Sequence, residues 1–139
     1  MTSWTSGLVL SLLLAGCSIT RPDQDNFEID ARKGNIETFV AALSKTLQTS
    51  PERTIVSVHE ADPGEMFTFK SRDAVVVVQS QPDERCNPNA PMHITYKQRR
   101  YDVDLVYRTS SEAKRLQAKQ RLIGAAKVAE IPIQMSQGC

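Results

Sequence analysis

Aromatic residues are scarce, at 6% of the 139 residues, with a single tryptophan and only two histidines. A carbohydrate-stacking platform is therefore not expected. His59 and His93 occur in no His-x-x-His or His-Glu-x-x-His spacing, which removes the common zinc signatures. Cys86 and His93 stand seven apart, a weak metal pair beside the alternative of a bridged cysteine and a strand-face histidine. No Gly-x-Ser-x-Gly elbow and no phosphate-cradling glycine loop is present. Six Gly and seven Pro are too few for a collagenous or low-complexity chain. An excess of one charge is also lacking: seventeen Lys+Arg against sixteen Asp+Glu leave +1, which excludes a nucleic-acid binder held by bulk charge. No apolar run approaches the roughly 20 residues a bilayer span requires. These absences leave neither a reactive constellation nor a call for a metal or cofactor.

Charge is distributed unevenly. Residues 1–16 carry no Lys, Arg, Asp or Glu at all. Residues 22–84 hold twelve acidic and six basic side chains, whereas residues 85–139 hold ten basic and four acidic. Near-neutrality thus conceals an acidic half and a basic half. The ordinary reading is internal charge pairing and solvation. The functional reading is a polarised surface for a protein partner, where complementary charge sets on-rate and specificity.

The uncharged N-terminus contains Gly-Leu-Val-Leu-Ser-Leu-Leu-Leu at residues 7–14, running into Ala15-Gly16-Cys17. The run has the length of a signal-peptide apolar region, and small residues follow it at the cleavage position. Leu14-Ala15-Gly16-Cys17 resembles the lipobox of bacterial lipoproteins. The resemblance implies thioether attachment of a diacylglycerol to Cys17, cleavage after Gly16 and acylation of the new amino group. Residues 1–6 depart from the pattern, having no Lys or Arg where a signal peptide carries a positive segment. Ser18, where retained lipoproteins have Asp, implies export to the outer membrane, facing the periplasm. With Cys17 lipidated, Cys86 and Cys139 remain, an even number in an oxidising compartment. They read as a disulfide worth on the order of 4 kcal/mol, with two free thiols or half a metal site as the alternatives.

The expected organisation is a signal peptide at 1–16, a lipidated polar tether at 17–31 and one domain at 32–139. Within it, Ile36, Phe39, Val40, Leu43 and Leu47 recur at helical spacing, with Asn35, or earlier Asp30, able to cap the start. Strand-like segments follow at 54–60 and 65–70, joined by Ala61-Asp62-Pro63-Gly64 in the pattern of a type II turn. The β-branched run at 74–78 reads as a central strand. Residues 81–91 read as a loop, and alternation at 92–97 and 101–108 predicts a hairpin turning at Gln98-Arg99-Arg100. Thr109-Ser110-Ser111-Glu112 resembles a capping box opening a second helix with an apolar stripe of Ala113, Leu116, Ile123 and Ala126. Residues 131–135 can add a final edge strand. The prediction is an α+β domain, a mostly antiparallel sheet of about five strands with two helices packed on it, in the order α-β-β-β-β-β-α.

Signal, size, helix–sheet pattern and cysteine pair together resemble the immunity lipoproteins that protect Gram-negative cells from type VI secretion effectors. That resemblance is architectural and implies a non-enzymatic inhibitor of a secreted peptidoglycan- or lipid-degrading enzyme. The residues expected to meet such a partner are turn positions: His59, Glu60 and Asp62, then Asp83 and Glu84 in the 83–91 loop, then Arg99 and Arg100. Small pilotins, which carry a secretion-channel subunit to the outer membrane, have a similar pattern and give the alternative. Paired carboxylates such as Glu60/Asp62 and Asp102/Asp104 read as solvated charges rather than as an acid–base pair.

Overall fold

Alternation of buried and open residues organises the sheet. In the computed structural model, which describes residues 23–56, 64–82 and 96–136, six strands and two helices form an α+β fold. The strands are β1 (Gln24–Asp30), β2 (Glu52–Ile55), β3 (Glu65–Lys70), β4 (Ala74–Pro82), β5 (Tyr96–Tyr107) and β6 (Ile133–Met135); the helices are α1 (Ile36–Leu47) and α2 (Glu112–Val128). The spatial order is β2-β3-β4-β5-β1-β6, and every neighbouring pair is antiparallel.

Because side chains alternate with period two, one face of this sheet carries Phe27 and Ile29, Phe67 and Phe69, Val76 and Val78, and Tyr101, Val103 and Leu105, all buried. Both helices lie on that face: Phe39, Val40, Leu43 and Leu47 of α1 and Ala118, Leu122, Ala125 and Ala126 of α2 join the same cluster. Asn35 caps α1 as expected, its side chain accepting from the Glu37 N–H at 2.9 Å. Asp30 is also a cap, but of the separate 3₁₀ turn Ala31–Lys33. Gly34 then lets the chain pass beneath the end of α2, where an added Cβ would sit 2.6 Å from the Ala129 carbonyl oxygen and 2.6 Å from Ile131 Cγ1. On the edge strand β2, Arg53 holds Glu65 at 2.6 Å and lies 5.0 Å over the Phe67 ring, while the Tyr101 hydroxyl donates to Glu65 at 3.0 Å.

Three expectations are corrected. Residues 24–30 are not tether but β1, a strand between β5 and β6, since its two apolar residues, Phe27 and Ile29, complete the helix-facing core. The turn at Gln98-Arg99-Arg100 does not exist, because β5 runs through it. A bulge replaces it: pairing moves from Ser80↔Tyr101 to Pro82↔Tyr96, two residues on β4 against five on β5, with Arg99 in left-handed backbone at φ 60°. The bulge flips the phase of alternation without reversing the chain. Finally, α2 is capped by Ser111, whose side chain accepts from the Lys114 N–H at 3.3 Å, two residues later than the capping box implied. Its core-facing stripe is Ala118, Leu122, Ala125 and Ala126, so Leu116 and Ile123 lie outside the core. The helix at 36–47, the strand at 65–70 and the edge strand at 133–135 stand where sequence put them; the strand expected at 74–78 runs on to Pro82 and takes in Gln81 and Pro82 of the expected loop, and the strand expected from 54 begins at Glu52.

Candidate functional site

The face of the sheet turned away from the helices is the polar one. Register places its side chains in rows across the strands. One row runs Met66, Gln79, Asp102, Glu28 and Gln134; the next runs Thr68, Val77, Asp104 and Asn26; Asp30 pairs with Arg100 beyond the first. Two like charges, Glu28 and Asp102, are therefore directly opposed on neighbouring strands, an arrangement that on its own is destabilising.

Gln81 is what relieves it. Its side chain is buried, and its Nε2 donates to Glu28 Oε1 and to Asp102 Oδ1, each at 3.0 Å. Both amide hydrogens are thus spent holding two carboxylates in place. Gln134 Nε2 reaches Glu28 Oε2 at 3.4 Å. Asp104 stands two residues along the same face from Asp102; partial burial, with the Asp102 charge adding, raises its pKa above the usual carboxylate value. Three carboxylates fixed on a rigid sheet make a local negative field that suits a cation or a basic side chain. They do not make a metal cage: no grouping of three or more His, Cys, Asp or Glu able to hold an ion occurs among the described residues.

At the β1–β6 end this face deepens into a hollow of about 170 Å³ lined by Glu28, Asp30, Gln81, Arg100, Pro132 and Ile133 among others. Pockets for drug-sized ligands begin near 300 Å³, so the hollow fits a side chain better than a metabolite. A wider hollow of about 380 Å³ lies where Arg99 meets Ala31, Gly34, Asn35 and Ile36. Among the described residues it is lined by one charged side chain, Arg99, with no acid–base or nucleophilic partner for it.

Asp30 joins the two ends of this region. Arg32 binds it in bidentate fashion, Nε to Oδ1 at 2.8 Å and Nη2 to Oδ2 at 2.7 Å, and Arg100 stands 3.9 Å away. The Arg32 hydrogen bonds hold the Asp30 carboxyl down at about 2.

Of the residues singled out by sequence, Arg99 and Arg100 are described, and both sit on the β5 bulge. Arg100 faces the carboxylate rows, whereas Arg99 opens into the other hollow. Cys17, His59, Glu60, Asp62, Asp83, Glu84, Cys86 and Cys139 lie outside the described residues. Sequence reading passed over Glu28 and Gln81, because one fell in the presumed tether and the other in the presumed loop. The hydrogen bonds that unite them span 53 and 21 positions, so only strand pairing brings them together. Comparison with protein-family profiles, with curated proteins and with solved structures finds no match.

Proposed function

We propose that the protein is a non-enzymatic periplasmic lipoprotein, tied to the outer membrane through Cys17, that binds and inhibits an envelope-targeting effector enzyme. One observation carries the proposal: the sheet face opposite the helices presents opposed carboxylates, Glu28 and Asp102, locked by a buried glutamine. Gln81 holds the two like charges side by side, so the negative face is fixed before any partner arrives. A basic loop of a partner would meet a preformed seat. Effectors that degrade peptidoglycan or lipid act on anionic polymers and surfaces, for which basic clefts are the fitting chemistry.

The test is capture of partners by the full lipidated chain from envelope extract, followed by assay of the captured protein with and without added chain. A hydrolase that is captured and inhibited supports the reading. Glu28→Gln with Asp102→Asn should then weaken binding by about tenfold or more, an effect that shrinks as salt rises. Capture of a secretion-channel subunit instead would establish the assembly role, and binding indifferent to both substitutions would move the docking surface elsewhere.

A further inference from the structure

Helix α2 is built inside out. Its core side is mostly alanine (Ala118, Ala125 and Ala126, with Leu122), while its bulky aliphatics face solvent: Leu116 is 56% exposed, Ile123 40% and Val128 70%. Small residues inside allow close packing against α1, which explains the alanines. Nothing among the described residues covers the aliphatics. The helix carries five cations against Glu112 as its one acid, a net charge of +4 over 17 residues; Lys114, Arg121 and Lys127 are exposed beside the aliphatics, whereas Arg115 lies over the Tyr107 ring and Lys119 over the Phe27 ring. Leu116, Ile123 and Lys127 follow one another along a single exposed stripe, since steps of seven and four residues stay on one face.

We infer that the outer face of α2 is a membrane-contact surface, its cations on anionic phospholipid headgroups and its aliphatic side chains in the boundary beneath them. Cationic side chains beside exposed aliphatics suit a bilayer interface, where lysine stems extend along apolar surface and keep the ammonium in the headgroup layer. A second copy of the chain is a poor occupant, because it would set +4 against +4. The opposite side of the molecule agrees: Glu28, Asp102 and Asp104 on the open sheet face are repelled by the same headgroups and turn outward.

Chain length makes the contact easy, and here the inference rests on the lipoprotein reading. Cys17 is seven residue steps from Gln24, the first residue of β1. Such a segment spans at most about 25 Å. The Asp23 carbonyl accepts from the Tyr107 N–H at 2.7 Å, and α2 begins five residues after Tyr107. The anchor therefore emerges at the end of the sheet where α2 starts, and a helix of 17 residues is itself about 25 Å long.

The experiment is lysine acylation read by mass spectrometry on the full chain in vesicles of phosphatidylethanolamine with phosphatidylglycerol, against vesicles of phosphatidylcholine alone. Lys97, at the end of β5 opposite to Tyr107, is the internal reference. Relative to Lys97, Lys114 and Lys127 should react about fivefold more slowly on anionic vesicles than on neutral ones, with high salt restoring reactivity. Arg121→Glu with Lys127→Glu, both on the solvent side, should abolish protection of Lys114. Unprotected lysines on anionic vesicles overturn the inference. So does protection that rises with protein concentration when no vesicles are present. The mass of the Cys17 peptide is read in the same digest, and a missing acyl group refutes the lipoprotein reading alone, because the unanchored chain with added vesicles still reports on α2.

Discussion

At the scale of single residues, two side chains set local stability in opposite ways. Asp30 is held ionised by Arg32, with a pKa lowered to about 2 against 3.8 for a free carboxyl. Because the folded value is the lower one, its contribution is complete above the unfolded pKa and is lost as pH falls through about 2. Asp30→Asn keeps a capping side chain and removes only the charge. Its urea-unfolding stability should therefore depend less steeply on pH between about 4 and 2 than that of the parent, a window set by those two values. Gly34 acts through what it lacks. Its backbone is extended, so no unusual φ requires glycine; the requirement is space beside Ala129 and Ile131. Gly34→Ala should cost about 1–3 kcal/mol by overpacking, seen as a lower denaturation midpoint with unchanged slope.

At the scale of elements, α2 separates what periodicity can reveal from what it cannot. Its existence, its length and its serine-rich start were legible in the sequence, but its buried side was not. A stripe of leucine and isoleucine is the natural guess for a core face. The actual face is alanine because the neighbouring helix approaches closely, and inter-helix distance is a tertiary property. Ala125→Leu should consequently destabilise by about 1–3 kcal/mol, whereas Ile123→Ser should stay within about 0.5 kcal/mol in the absence of membrane; chemical denaturation of the two variants checks both. Strand β1 was illegible for a different reason. Only Phe27 and Ile29 of its seven residues are apolar, and a strand whose second face is wholly polar resembles a linker until its partners are known. In β5 the phase flip was real, but a flip alone does not distinguish a turn from a bulge. Counting one strand as two and missing another left the expected number of strands close to right through compensating errors.

At the scale of the whole molecule, charge asymmetry along the sequence becomes asymmetry in space only in part. Basic side chains of the second half do collect on α2. Asp102 and Asp104, however, belong to that half and join Glu28 from the acidic one on the open sheet face. Two surfaces of opposite character thus lie on opposite sides of one sheet. Covalent ties at both ends of the chain are expected to fix them. A loss of two hydrogens, seen as a mass gain on reduction, should report a Cys86–Cys139 bridge, and Cys86→Ser should lower stability by about 2–4 kcal/mol, measured by thermal unfolding of the oxidised chain. Neither tie could be weighed from the sheet itself, and the candidate carboxylate seat could not be read from sequence because its members come from three separate strands and a bulge.

The position of β1 also governs time. The first strand of the domain pairs with the fifth on one side and the last on the other. Its hydrogen-bonding partners, Arg100 to Val106 and Ile133 to Met135, are the most distant in the chain. Long-range pairings of this kind close large loops and slow folding. A chain that emerges N-terminus first leaves β1 unpaired on both edges until residues 100–106 follow, and on its second edge until residues 133–135 follow. If the chain is exported as proposed above, the sheet therefore closes only late in translocation, and the polypeptide stays threadable until its last third has crossed.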